Sequence, residues 1–185
     1  MLKNNYFVLT GAMGAGKSTV INKLQDLKYN CIPEPARIIL KEQRSSGGEG
    51  VPEKDSGLFT RLMLTHMLTD HAANKDSDEL FVFDRGLPDL IAYSVLFNID
   101  KDAYLNAAMD NRYNKHVFMF EPWEEIYTTD DERKMSFAQS KRFGESVKKI
   151  YVELGYSVIG VPFLPAEERA AFIIDSIERI FRNEC

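Results

Sequence analysis

The sequence predicts an α/β fold, a parallel sheet covered by helices on both faces. Three observations lead there. Strand-like and helix-like periodicities alternate along the whole chain, which calls for right-handed βαβ units. The run Leu80-Phe81-Val82-Phe83 is apolar at every position, as befits a strand buried on both faces. Finally, the glycine-rich stretch Gly11-Ala12-Met13-Gly14-Ala15-Gly16-Lys17-Ser18-Thr19 lies between a short apolar run, Tyr6–Leu9, and a helical stripe of Val20, Ile21, Leu24 and Leu27.

That stretch reads as G-x-x-x-x-G-K-[ST], the Walker A loop, in the strand–loop–helix setting its mechanism needs. Its glycines let the backbone approach a polyphosphate closely. Successive amides then form an anion nest at a helix N-terminus, where the dipole favours negative charge. Lys17 would reach the β- and γ-phosphates, Ser18 would ligate Mg²⁺, and Thr19 could bond the α-phosphate. A glycine-rich hairpin with an incidental Lys-Ser is the plain alternative, and the flanking strand and helix argue against it.

The chain has 185 residues, enough for one domain spanning 1–185 with a full core. Its hydrophobic share of 44% and charged share of 28% are those of an ordinary soluble protein. A net charge of −5 offers no basic field for nucleic acid or an anionic membrane. Cys31 and Cys185 make neither a disulfide framework nor a metal spacing and fit a reducing compartment. The apolar run after Met1–Asn5 is too short for a signal peptide, and none approaches a membrane span. The expectation is a cytoplasmic protein.

In chain order, the second strand is Tyr29–Ile32, followed by a helix through Ile39, Leu40 and Gln43. Residues 45–57 are rich in Gly, Ser and charge and are expected to form a mobile loop that does not pack. A helix from about Leu58 to Asn74 turns Phe59, Leu62, Met63, Met67 and His66 inward. The third strand ends in Asp84-Arg85-Gly86, and helices follow over Leu90–Phe97 and Asp102–Arg112. Val117–Phe120 is the fourth strand and Ser157–Val161 the fifth, stopped by Pro162. Between them, Phe143, Val147, Ile150, Tyr151 and Leu154 stripe one face of a long helix. Ala170, Ile173, Ile174, Ile177, Ile180 and Phe181 belong to the last.

Ligands of such sheets collect at the carboxyl ends of the strands. That rule brings the glycine loop, Glu34–Arg37, Asp84–Asp89 and Glu121–Trp123 to one rim. Asp84 suits a carboxylate holding Mg²⁺ or its waters, and Arg85 could touch the transferred phosphoryl or the substrate. Capping of the next helix by Asp84, neutralised by Arg85, is the structural alternative. Glu34, stiffened by Pro33 and Pro35, is the candidate general base for an acceptor hydroxyl; otherwise it is a surface acid at a helix start. The charged segment after Trp123 reads as a lid over roughly 124–142. Arg133 and Arg142, facing nearly together if on one continuous helix, could supply an arginine finger; ordinary surface ion pairs are the alternative. Trp123 either stacks on a ligand or covers the sheet. His66 and His71 do not share a helical face and lack a third ligand.

The Walker A loop resembles those of the P-loop nucleoside and nucleoside-monophosphate kinases. Glu34-Pro35 resembles the Glu-Pro of deoxyribonucleoside kinases, and Asp84-Arg85-Gly86 is similar to their acidic-Arg-Ser/Gly segment. A closer likeness spans nearly the whole chain. It rests on Glu34-Pro35-Ala36-Arg37, on Asp84-Arg85-Gly86 with Asp89 and Ala92-Tyr93, on Asp131-Glu132-Arg133, and on Tyr151…Leu154-Gly155-Tyr156…Val161-Pro162. These resemble the small AAA-type ATPase/kinase group that includes the nicotinamide riboside kinase domain of bacterial NAD-salvage proteins.

The resemblance implies a P-loop NTPase fold with five parallel strands in the order 2-3-1-4-5 and a small lid. It implies ATP and Mg²⁺ as cofactors, and phosphoryl transfer to a hydroxyl of a small, nucleoside-like metabolite. Residues 11–19, Arg133, Arg142 and Pro162 would hold the nucleotide, the adenine lying against the lid and the Val161-Pro162 loop. Glu34, Arg37, Phe59, Arg85 and Asp89 would face the acceptor, and Ser18 and Asp84 the metal. Lys17, Glu34, Asp84, Arg85 and Arg133 would carry the chemistry.

Other readings are a nucleotide switch, an AAA⁺ motor and a nucleic-acid end kinase. Asn74-Lys75-Asp76-Ser77 fails the base-recognition run of GTPases at its last position. The chain is too short for a motor's helical lid domain, and its acidity argues against a nucleic-acid substrate. The expected partner is a small-molecule phosphoryl acceptor, with no nucleic acid and no membrane; a homodimer is left open.

Overall fold

The computed structural model describes residues 3–128 and 135–184. Strand β1 (Tyr6–Gly11) is buried at every position and occupies the centre of the sheet. It pairs in parallel with β3 (Phe81–Asp84) on one side and β4 (His116–Phe120) on the other. Strand β2 (Asn30–Ile32) lies outside β3 and β5 (Ser157–Gly160) outside β4, giving the order β2-β3-β1-β4-β5. That is the expected order. The outer strands keep partly exposed positions while the inner three are almost wholly apolar and closed off, as a parallel sheet covered on both faces requires.

Alternate residues of β1 serve opposite faces. Tyr6 and Val8 join the core beneath α2 (Pro35–Ser46), α3 (Ser56–Ala73), α4 (Leu87–Phe97), α5 (Asp102–Asp110) and α6 (Phe137–Glu153). Phe7 and Leu9 join the core beneath α1 (Lys17–Asp26) and α7 (Ala166–Glu184). The register Leu9↔Asp84 and Gly11↔Phe120 sets Asp84 beside the strand end from which the glycine loop departs. Among the described residues no helix is long and apolar enough to cross a membrane.

The stretch 45–57 differs from expectation. Helix α2 runs on to Ser46, where Gly47 at φ 70° ends it, and α3 starts at Ser56 behind an Asp55 cap whose Oδ1 accepts from the Leu58 amide at 2.7 Å. Between them Val51 enters the core, and the Gly50 amide donates to the Gln43 side chain at 2.9 Å. One apolar residue, invisible in an averaged composition, anchors the turn. On α3 the inward histidine is His71, wedged edge-on between Tyr6 and Tyr113, while His66 stays half-buried. Burial pushes the His71 imidazole below its ordinary pKa.

Candidate active site

The glycine loop takes the conformation its composition allows. Gly14 and Gly16 lie at φ 75° and 80°, and Gly16 caps α1. A side chain at 14 would strike the Tyr127 ring, and one at 16 would meet Arg169 Nη1 at 2.7 Å. The Met13 carbonyl accepts from the Ser140 hydroxyl of α6 at 2.6 Å, fixing the outside of the loop. Gly14, Gly16, Lys17, Ser18 and Thr19 all line a cavity of about 720 Å³.

Two buried charge groups reach that cavity through Lys17, Glu34 and Arg85. Lys17 and Asp84 form a buried ion pair. Arg85 Nε donates to Glu34 Oε1 at 2.7 Å, and its Nη1 donates to Asp89 Oδ1 at 2.8 Å and to the Gly11 carbonyl at 3.1 Å. Asp89 is wholly buried and also accepts from the Thr10 hydroxyl at 2.6 Å, the Gly86 amide at 3.0 Å and the Tyr151 hydroxyl at 2.7 Å. Burial first, and the Asp89 carboxylate second, push the Tyr151 phenol well above its ordinary pKa, so it stays a donor. Arg85 holds φ 72°, a left-handed conformation unusual for a side chain of this size. Such strained backbone concentrates at functional sites, held by surrounding contacts.

The electrostatics follow from this geometry. Burial alone would raise Glu34, but Lys17, Arg85 and Arg37 outweigh it and hold the carboxyl at about 2. Burial pushes Asp84 the other way, upward, against the pull of Lys17. A buried carboxylate and the Ser18 hydroxyl beside an anion nest make a sparse oxygen set. Mg²⁺, which keeps waters and phosphate oxygens as its main ligands, suits such a set.

A profile of the AAA domain family matches residues 6–169. The chain belongs to that family. Its fold is also that of small P-loop kinases. Deoxyadenosine kinase from M. mycoides with bound dCMP and dCDP superposes with a TM-score of 0.63 at 17% identity, over 95% of this chain and 99% of that one. NadR in complex with NR gives 0.71 at 16% identity, over 96% of this chain but 50% of NadR. Thymidylate kinase from Candida albicans gives 0.65 at 16% identity, over 96% and 92%. No curated protein sequence matches.

Within this AAA domain, loop residues 12–14 and 16–19, Glu34, Arg37, Phe59 and Arg85 gather on the one cavity, whereas Gly11, Ala15 and Asp84 are not part of its wall. Of the remaining expected site residues, three stand differently and a fourth lies outside the described residues. Asp89 cannot face an acceptor: it is fully buried and its oxygens are taken by four donor groups, so it orients Arg85 instead. Arg142 is exposed on α6 and stands off the cavity wall. Pro162 gives way to Leu164, Pro165 and Ala166, because a turn closed by the Leu164 amide on the Pro162 carbonyl carries the chain on before it meets the cavity. Arg133 lies outside the described residues, and α6 begins only at Phe137, capped by Ser136.

Two contributors escaped the sequence reading. Tyr93, Leu96 and Phe97 of α4 wall the cavity with Phe59 and Leu40, so the apolar helix is partly a pocket lining rather than core alone. Arg169 is the other. It is spaced four from Ile173 and eight from Ile177, in phase with the buried stripe of α7. A charged residue on an apolar stripe is the signal that could have found it.

Proposed function

We propose that this chain is an ATP-dependent kinase that transfers the γ-phosphoryl group to a hydroxyl of a small metabolite, of nucleoside or nucleotide-like shape. One observation carries the reading: the phosphate loop and the Glu34–Arg85 pair open onto the same cavity, which Phe59, Leu40 and Phe97 also wall. A nucleotide switch has no use for such apolar walls in the cavity that takes its phosphates; a phosphoryl acceptor does.

In this reading the loop amides and Lys17 hold the phosphates, and Ser18 and Asp84 would hold Mg²⁺, whose chemistry is to neutralise charge on the β- and γ-oxygens. Lys17 turns from Asp84 to the nucleotide. The acceptor oxygen bonds to the γ-phosphorus as the bond to the β–γ bridging oxygen breaks, and ADP departs. Glu34 takes the hydroxyl proton. Arg85, clamped by Asp89, steadies Glu34 and the developing charge.

Turnover of ATP with and without a panel of nucleosides and nucleotides tests the proposal. Strong stimulation by one acceptor, with a phosphorylated product by mass spectrometry, is the expected outcome. Hydrolysis indifferent to every acceptor would replace the kinase by a switch.

A further inference from the structure

The loop provides Lys17 as its own cation, and the cavity wall holds a further positive group that the proposed chemistry leaves unused. Arg169, in the first turn of α7, is 2% exposed yet belongs to the cavity wall. Its Nη1 donates to the Ala15 carbonyl at 3.0 Å. Its Nε and Nη2 are buried with no hydrogen-bond partner among the described residues. The Phe120 ring at 4.5 Å and the Trp123 ring at 5.5 Å offer cation–π contact, which offsets only part of the cost of a buried guanidinium.

Position supplies the second observation. A Cβ built on Gly16 would lie 2.7 Å from Arg169 Nη1, so the guanidinium stands directly over the residue that caps α1. That helix end is where amides and dipole collect an anion. A cation stored unpaired above an anion nest lacks one thing, the anion.

We propose that Arg169 is a phosphate-binding residue of the nucleotide site. It keeps the Ala15 carbonyl through Nη1 and turns its free donors onto a phosphate oxygen when a polyphosphate enters. The assignment rests on the nucleotide-binding part of the proposed function and is independent of phosphoryl transfer. The bond to Ala15 also links the guanidinium to the loop that wraps the phosphates.

The test uses Arg169→Gln and Arg169→Lys in the full chain, with ATP and inorganic tripolyphosphate as ligands. Glutamine preserves a donor for the Ala15 carbonyl and removes the charge. Trp123, the chain's one tryptophan, reports binding by fluorescence, with calorimetry as the second readout. Arg169→Gln is expected to weaken both ligands roughly tenfold to a hundredfold, the scale of a charge-assisted bond pair. Arg169→Lys should recover most of that loss. The ligand-free melting temperature of Arg169→Gln should hold or rise, because an unpaired buried charge has gone.

Unchanged tripolyphosphate affinity in Arg169→Gln would overturn the assignment. So would a loss confined to ATP, which would signify a base contact, or a lysine variant as weak as glutamine. A wild-type chain that binds neither ligand would remove the nucleotide site and this role with it. Wild-type binding with an unaffected glutamine variant would remove the role of Arg169 alone.

Discussion

Replacing Glu34 by glutamine separates the proposed base from its structural duties. Glu34 Oε1 accepts from Arg85 Nε at 2.7 Å, and Oε2 stands 3.7 Å from Arg37 Nε. Glutamine keeps an acceptor toward Arg85 and loses the charge, while Arg85 retains Asp89 and the Gly11 carbonyl. Trading a charge-assisted bond for a neutral one costs about 1–2 kcal/mol, which is roughly 2–8 °C of melting temperature for a chain this size. The catalytic cost is larger. Loss of a general base lowers kcat by roughly 10²–10⁴, or about 3–5 kcal/mol of barrier.

The pH profile adds a second readout. With its carboxyl held at about 2, Glu34 is ionised throughout the ordinary range in the free protein. It therefore puts no acid limb on kcat/KM between about pH 5 and 8. Lys17 is the leading group that holds it down, and in the proposed complex Lys17 turns to the phosphates. The acid limb of kcat should accordingly lie above that of kcat/KM. The assay is ADP release with the most stimulating acceptor, alongside the ATP dissociation constant from Trp123 fluorescence. An unchanged kcat in Glu34→Gln, with the variant folded, would refute the assignment.

Asp89→Asn should leave donors facing donors around a wholly buried site, costing about 3–5 kcal/mol and on the order of 10 °C in calorimetric melting; a shift under 2 °C would contradict the clamp. Gly16→Ala must hold φ 80° and place a methyl 2.7 Å from Arg169 Nη1, so tripolyphosphate affinity should fall by at least tenfold, and an unchanged calorimetric isotherm would contradict the loop geometry. Acid unfolding offers a third check. A carboxyl whose folded pKa is depressed gives stability that is present above its unfolded value of 4.5 and is lost as pH falls toward 2. Urea midpoints should thus drop more steeply over that window in the wild type than in Glu34→Gln.

The sheet was legible because its signals are local and redundant. The apolar run ending at Asp84 and the glycine loop between a strand and a helix each imply a parallel sheet, and the order of the motifs fixes where they converge. The loop residues, Glu34 and Arg85 were legible for the same reason, since strand ends carry them to one rim. What escaped depends on direction within an element. Nothing in the residues 84–89 says that Asp89 points down into Thr10 and Tyr151 while Arg85 points across to Glu34. Arg169 lies far along the chain from the loop it touches at Ala15, and only its phase with Ile173 hints at burial. In the 45–57 stretch the averaged composition conceals Val51, the one residue that enters the core.

The gathering of a polyphosphate by residues 11–19 is the claim on which every other assignment rests. Calorimetric titration of Mg-ATP into the wild type and Lys17→Ala, run side by side, tests it directly. The variant leaves Asp84 without its ion pair, so circular dichroism must first establish that it is folded. Saturable binding to the wild type, weakened at least tenfold in folded Lys17→Ala, is the expected result. No heat from the wild type with either Mg-ATP or Mg-GTP, or equal affinity in the two proteins, would contradict it.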